Sequence, residues 1–285
     1  MMNGIQLENG QYGRKAVLTS KWSMEMLPYL LAQGIVELEL NDGKGWRGDD
    51  ISFLADLPQL QSFKIIDLKI PSIEPIHFLR ELKVLEIITY CKTEIRFTAF
   101  PKLEVCALEW RPKAVSLFEC ASLKSLFINR YTGKDFIAFA KLVNLESLAV
   151  LNAPVESLHG ISSLQGLLSL RLGNLKRLKS LAGIEKLSKL VELEVQTCRS
   201  IGSITEIGAL AHLRKLHLNN DGDIESLKPL ERLTELESVL FYESTNVIDG
   251  DLTPLLHQKK LTNVSFQNRK HYSHRREELA DNLKR

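Results

Sequence analysis

Leu145, Leu148 and Val150 spell the phrase L-x-x-L-x-L. The chain repeats it at Leu167, Leu170 and Leu172, at Leu190, Leu193 and Val195, and at Leu213, Leu216 and Leu218. By subtraction the starts lie 22, 23 and 23 residues apart, a period that belongs to solenoid repeats. Extending the phrase both ways adds starts at Ile35, Leu60, Leu82, Leu103, Leu123, Leu236 and Leu261, eleven in all with the central four. That is well above the roughly three units a repeat stack needs for stability. The alternation in L-x-L has the period of a strand, so the fourth and sixth positions of each unit face one way. Each unit is expected to hold one short strand, a turn and a return segment such as 155–164. No unit can bury its leucines alone; stacking makes them one continuous core.

These residues resemble the leucine-rich repeat family over 35–266, where family units run L-x-x-L-x-L-x-x-N-x-L. The period is similar to that of the bacterial internalin-like and phosphatase-regulator-like classes. The L-P-x-L-P phrase of the effector ubiquitin ligases is absent. The resemblance implies an α/β solenoid: a right-handed horseshoe with a parallel concave β-sheet and a convex side of 3-10 turns and short helices. It divides the chain into an N-terminal capping segment with a helix (1–34), a solenoid (35–268) and a basic C-terminal cap or tail (269–285). The family's ninth position is usually Asn or Cys, capping the turns in a ladder. Here it reads Gly43, Leu68, Tyr90, Arg111, Tyr131, Ala153, Leu175, Cys198, Asp221, Ser244 and Arg269, and Cys198 alone conforms. An incomplete ladder and irregular turns are therefore expected.

Before the repeats, Val17 and Leu18 are expected to begin a strand. A helix is expected over 23–34, where Met24, Leu27, Leu30 and Leu31 form a stripe at helical spacing. Ser20 or Ser23 suits its start and Gly34 its end, with Pro28 tolerable only near the first turn. Such a helix would cover the open end of the stack. The following loop contains G-x-G-x-x-G at Gly43, Gly45 and Gly48. A phosphate cradle there is disfavoured by the adjacent Asp49 and Asp50 and by the early start of the next strand. Trp46, in that loop, either packs over the capping helix or meets a partner.

No run approaches the ~18 apolar residues of a membrane span, and 1–14 lacks a secretory apolar core. Cys91, Cys106, Cys120 and Cys198 are scattered and read as structural thiols, Cys106 at a core position. A cytoplasmic protein is expected. His271 and His274 stand without further clustered ligands, and Asp221-Gly-Asp223 and Asp249-Gly-Asp251 read as turns. No metal and no cofactor is expected, and the absence of G-x-S-x-G, H-E-x-x-H and P-loop motifs argues against an enzyme. From Leu256 onward there are eight Lys or Arg against three Asp or Glu, a basic end of net +5 on a chain of net +2.

Function is therefore sought on the concave face, which positions 3, 5, 7 and 8 of each unit are expected to line. An apolar zone emerges there from Val84, Ile88, Val105, Ala107, Trp110, Phe127, Ala149 and Leu151, rimmed by Glu86, Glu109 and Arg130. A second cluster holds His217, Leu240, Tyr242 and Glu243. An uncovered sheet face should be polar where it meets water, and a large apolar patch with a charged rim marks a binding site. The competing arrangements are a register shifted by bulges, or an N-terminal segment folded back over the patch. The expected function is a non-enzymatic scaffold that binds another protein on this face. It would act as a regulator or a toxin-neutralising immunity protein, and be monomeric until the partner arrives. The alternative is nucleic-acid or anion binding through the basic C-terminal end.

Overall fold

The computed structural model describes residues 2–283, with side chains to residue 279. The chain folds as two compact units, Met1–Ile128 and Asn129–Arg285.

The first unit opens with a hairpin that sequence periodicity did not reveal. Strand β1 (Ile5–Asn9) runs antiparallel to β2 (Arg14–Leu18), and β2 runs parallel to β3 (Ile35–Asn41). Between them α1 (Met26–Ala32) starts three residues later than the sequence suggests, with no side-chain cap at Glu25. It stops where Gly34 takes a left-handed conformation at φ +62°, the usual helix-ending device. Parallel strands β4 (Ser62–Ile66), β5 (Val84–Ile88) and β6 (Val105–Glu109) follow, then β7 (Ser125–Asn129), whose last residue opens the second unit. The returns are short 3-10 segments, among them Glu74–Phe78 and Pro112–Glu119.

The second unit continues the same logic with β8 (Ser147–Leu151), β9 (Ser169–Gly173), β10 (Glu192–Gln196) and β11 (Lys215–Asn219). A two-residue β12 (Asp223–Ile224) precedes β13 (Ser238–Tyr242), and β14 (Asn246–Val247) pairs with β12. Helix α2 (Thr253–Leu256), β15 (Asn263–Phe266) and α3 (Arg276–Leu283) complete it. The eleven units expected from the leucines each give one strand of the long sheet, with β12 and β14 added in two of them, and their first, fourth and sixth residues are buried, as at Leu145, Leu148 and Val150. In-register pairing stacks Leu148 on Leu170 and Leu170 on Leu193. At the strand entrances one carbonyl accepts two backbone N–H groups, Leu168 and Ser169 both donating to Glu146. At the far end Leu279 of α3 is buried, as the sequence expects; Leu283's side chain lies outside the described residues.

The turn leaving each strand differs between the units. In the second, position 8 takes a left-handed backbone in six successive repeats: Arg130, Asn152, Asn174, Thr197, Asn220 and Glu243, with φ between +54° and +60°. Asn adopts that conformation most readily. The first five of these N–H groups reach the next repeat, as Asn152 N–H does to Gly173 O at 2.9 Å and Asn174 N–H to Gln196 O at 2.7 Å. The side chains add a second ladder, Asn174 Nδ2 to Asn152 Oδ1 at 2.6 Å and Asn152 Nδ2 to Asn129 Oδ1 at 2.7 Å. The left-handed step turns position 9 inward, so Tyr131, Ala153, Leu175, Cys198 and Asp221 are buried. In the first unit no such step follows β4 or β5. There the polar position 8, Asp67 and Thr89, turns inward, and position 9, Leu68 and Tyr90, is left exposed. The expected irregularity is thus concentrated in the first unit; in the second a regular left-handed step runs from Arg130 to Glu243, one residue earlier than the family pattern places its ladder, and is lost again at Asn268.

Candidate functional site

The concave face of the first unit is built by the odd strand positions. Position 3 supplies Val84 and Val105, position 5 Ala107 and Phe127, and position 7 Ile66 and Ile88, all half-buried. They stand there because the alternation that sends Leu85, Ile87, Cys106 and Leu108 into the core sends their neighbours out. Pairing sets Val84 beside Val105 and Glu86 beside Ala107. Glu86 is held by Lys64 of the neighbouring strand at 2.7 Å, so the patch carries a neutralised pair on its flank. At its upper edge Leu68 and Tyr90 are 42% and 55% exposed. The sequence assigned both to the family's ladder position, and the inward turn of Asp67 and Thr89 is what places them on the rim.

Two residues expected at this face sit differently. Glu109, expected at the charged rim, is 9% exposed, and Arg111, two residues on, is buried as well. Arg111 donates Nη2 to Thr89 O and Oγ1, both at 3.0 Å, and Nη1 to Cys91 O at 2.7 Å. Trp110, expected to stand outward, is half-buried with its ring against Phe118, centroids 5.4 Å apart. Phe127 is the aromatic that remains on the sheet face.

The second unit has a more polar face. Along position 5, in-register pairing runs Ala149, Arg171, Glu194, His217, Leu240 and Ser265. Arg171 Nε meets Glu194 Oε1 at 3.2 Å, and Lys215 pairs with Glu192. These pairs line a depression of about 360 Å³ that His217 borders. Leu240 and Tyr242 are half-buried on β13, while Glu243 is exposed on the left-handed turn after it. Arg130 likewise is exposed on the turn after β7. Leu151 lies across Gly173: a Cβ there would sit 2.1 Å from Leu151 Cδ2, so the glycine makes room for an apolar side chain on the face.

The glycine loop does not form an anion cradle. Gly45, at φ +108°, presses against Thr19, whose carbonyl oxygen would lie 2.7 Å from an added Cβ, and Gly48 leaves space for the Trp46 ring. Trp46 is fully buried, donates Nε1 to Asp67 Oδ2 at 3.1 Å and meets Phe53 edge-on. Trp22 stacks on the same Phe53 at 3.8 Å. Near the cap, burial would push the Glu39 carboxyl up. Hydrogen bonds from Lys15, Lys44 and Asn41 override it and hold it at about 2. The N-terminal hairpin tip is held by Glu37, whose Oε1 accepts the Tyr12 N–H at 2.5 Å, and it reaches Lys83, whose ammonium lies 4.8 Å from the Tyr12 ring centre.

At the basic end two of the cations are ion-paired and the helix start is capped by a carboxylate. Lys260 bridges to Glu235 at 2.6 Å and Arg276 to Glu277 at 3.1 Å, and Glu278 accepts the Arg275 N–H at 2.8 Å. His271 Nε2 lies 2.9 Å from Val247 O and His274 Nδ1 2.9 Å from Ser273 Oγ. Among the described residues no group of three or more His, Cys, Asp or Glu is placed to hold a metal, and no helix is long and apolar enough to cross a membrane.

No protein-family model matches the chain, and no curated protein matches it. Among solved structures it superposes on an internalin (InlF) from Listeria monocytogenes with a TM-score of 0.62 and 19% identity, covering 90% of this chain and 83% of that one. It superposes on a TDR receptor with a TM-score of 0.61 and 15% identity, covering 86% of this chain but only 45% of the receptor chain. Likeness at these identities carries the fold: the chain is an α/β solenoid of the leucine-rich repeat type.

Proposed function

We propose that this leucine-rich repeat chain is a non-enzymatic scaffold whose protein partner docks on the apolar face of the first unit. The observation that carries this is the row Val84, Val105, Ala107 and Phe127 on strands open to one side, continued by exposed Leu68 and Tyr90. Water-facing sheet surfaces are ordinarily polar, and aromatic side chains among them concentrate interface energy. The polar second-unit cluster around His217, Leu240 and Tyr242 suits a separate, more specific set of contacts. A regulator of an enzyme, or an immunity protein that neutralises a toxin, fits such a surface. Four thiols outside any disulfide support placing it in the cytoplasm.

The test is capture of partners from native lysate, followed by affinity measurement with the partner found. Tyr90→Ala with Phe127→Ala should weaken the complex at least tenfold, ~1.4 kcal/mol, while Arg275→Ala with Arg276→Ala should leave it intact at physiological salt. If the tail variant loses the partner and the aromatic variant keeps it, the basic end is the site.

A further inference from the structure

The N-terminal hairpin presents an edge whose geometry points to a second copy of this chain. Strand β1 ends the sheet order, with β2 as its hydrogen-bonded neighbour. Two bonds fix which of its backbone groups face outward. Gly10 N–H donates to Gly13 O at 2.8 Å and Thr19 N–H to Gly4 O at 2.9 Å. Both belong to the register that pairs Ile5 with Leu18 and Asn9 with Arg14. Hydrogen-bonded pairs alternate along an antiparallel ladder, so Gln6 and Glu8 bond inward to β2. The backbone groups of Ile5, Leu7 and Asn9 point away from the sheet.

That outward set is symmetric about Leu7. We propose that two chains pair their β1 strands antiparallel across a two-fold axis at Leu7, joining the two sheets edge to edge. The strand then meets itself in phase: Leu7 opposite Leu7, and Ile5 opposite Asn9 on both sides of the axis. Gln6 of one chain falls opposite Glu8 of the other, so the carboxylate faces an amide donor rather than a second carboxylate. Within one chain Gln6 Nε2 already donates to Glu8 Oε1 at 3.1 Å and Lys15 lies 3.4 Å from Glu8, so the strand's single charge is balanced.

Edge strands are usually blunted by Lys, Pro or a bulge. Strand β1 has no Lys and no Pro, and the shift in this hairpin's pairing falls between Arg14 and Lys15 on the other side of β2. Leu7 is 37% exposed at the centre of the edge, and the same capping segment leaves Met24 and Leu31 68% and 49% exposed. A self-complementary edge closes as a two-fold dimer rather than growing into a fibre. This interface is separate from the partner-binding face of the proposed function, and it departs from the monomer expected of a sequence in which β1 is not visible.

Sedimentation of the full chain tests it, at loadings from roughly 5 to 200 µM that span the micromolar Kd of a small interface. A monomer–dimer equilibrium is expected. Leu7→Pro removes an outward N–H without touching the bonds to β2, and should give a monomer that melts close to wild type. Leu7→Lys sets two ammonium groups across the axis and should do the same while keeping every backbone group. Leu7→Cys should form an intermolecular disulfide on mild oxidation, because directly opposed residues of such a pair lie ~5.5 Å apart at Cα, well above the level of wild type oxidised in parallel. A chain monomeric throughout overturns the proposal, whether or not a strand from another protein adds to this edge. So does a dimer that survives both Leu7→Pro and Leu7→Lys, or one that Leu7→Cys does not cross-link.

Discussion

Asp221 Oδ1 accepts the backbone N–H of Cys198 from the preceding repeat at 2.7 Å. It fills the place the family pattern gives to asparagine, and its own N–H is satisfied by Thr245 Oγ1 at 3.0 Å. The other carboxylate oxygen is buried without a hydrogen-bond partner among the described residues. An ionised acid in that position is costly. Burial pushes the Asp221 carboxyl up from 3.8 to about 7, against the opposing pull of the Cys198 N–H and Arg199.

The consequence is a slope of stability with pH. Between about pH 4 and pH 7 the native state holds the Asp221 proton that the unfolded chain has released, so stability falls as pH rises through that window. Asp221→Asn keeps the acceptor for Cys198 and removes the titration. Urea melts should show the variant gaining on wild type from about pH 4 to pH 8, by at most ~1.4 kcal/mol for each tenfold fall in proton concentration across the window. An unchanged difference across that range would show that Asp221 is solvated in the native state.

Glu39 should give the opposite slope. It is buried between Lys15 at 2.7 Å and Lys44 at 2.9 Å, with its carboxyl held at about 2. Its stabilisation is present above the unfolded value near 4.5 and disappears as pH falls toward 2. Glu39→Gln should melt below wild type at neutral pH, and the gap should close on acidification.

Thr197 is a β-branched residue held at φ +58°, where its Cβ is strained. Thr197→Asn matches Asn174 and Asn220 in the neighbouring repeats and leaves an oxygen for the Asn220 amide, now 3.3 Å from Thr197 Oγ1. Thermal melts should show a gain of about 1 kcal/mol. A loss would mean the hydroxyl matters more than the backbone.

Leu170 is 1% exposed, and its neighbour Ser169 is half-buried on the opposite side of β9. Leu170→Ala should cost ~2–5 kcal/mol through lost burial and the cavity left between repeats. Ser169→Ala should cost under ~0.5 kcal/mol. Equal losses in urea would overturn the inside–outside assignment of the strand.

The sequence by itself determined the repeat and the two faces of every strand. That information is local: Leu148 and Val150 point inward because strand side chains alternate, whatever the neighbouring repeat does. It also determined where α1 stops, since Gly34 carries its left-handed conformation in its own backbone. Tertiary structure alone decided whether position 8 or position 9 turns inward. That choice depends on a backbone N–H finding the carbonyl of the next repeat, as Asn152 finds Gly173 O. Where the chain turns without that step, Asp67 goes inside to hold Trp46, and Leu68 and Tyr90 are left outside. Strand β1 was equally hidden. Ile5 and Leu7 alternate with Gln6 and Glu8 over too few residues to stand out, Leu7 stays exposed, and its pairing with β2 is what makes it a strand.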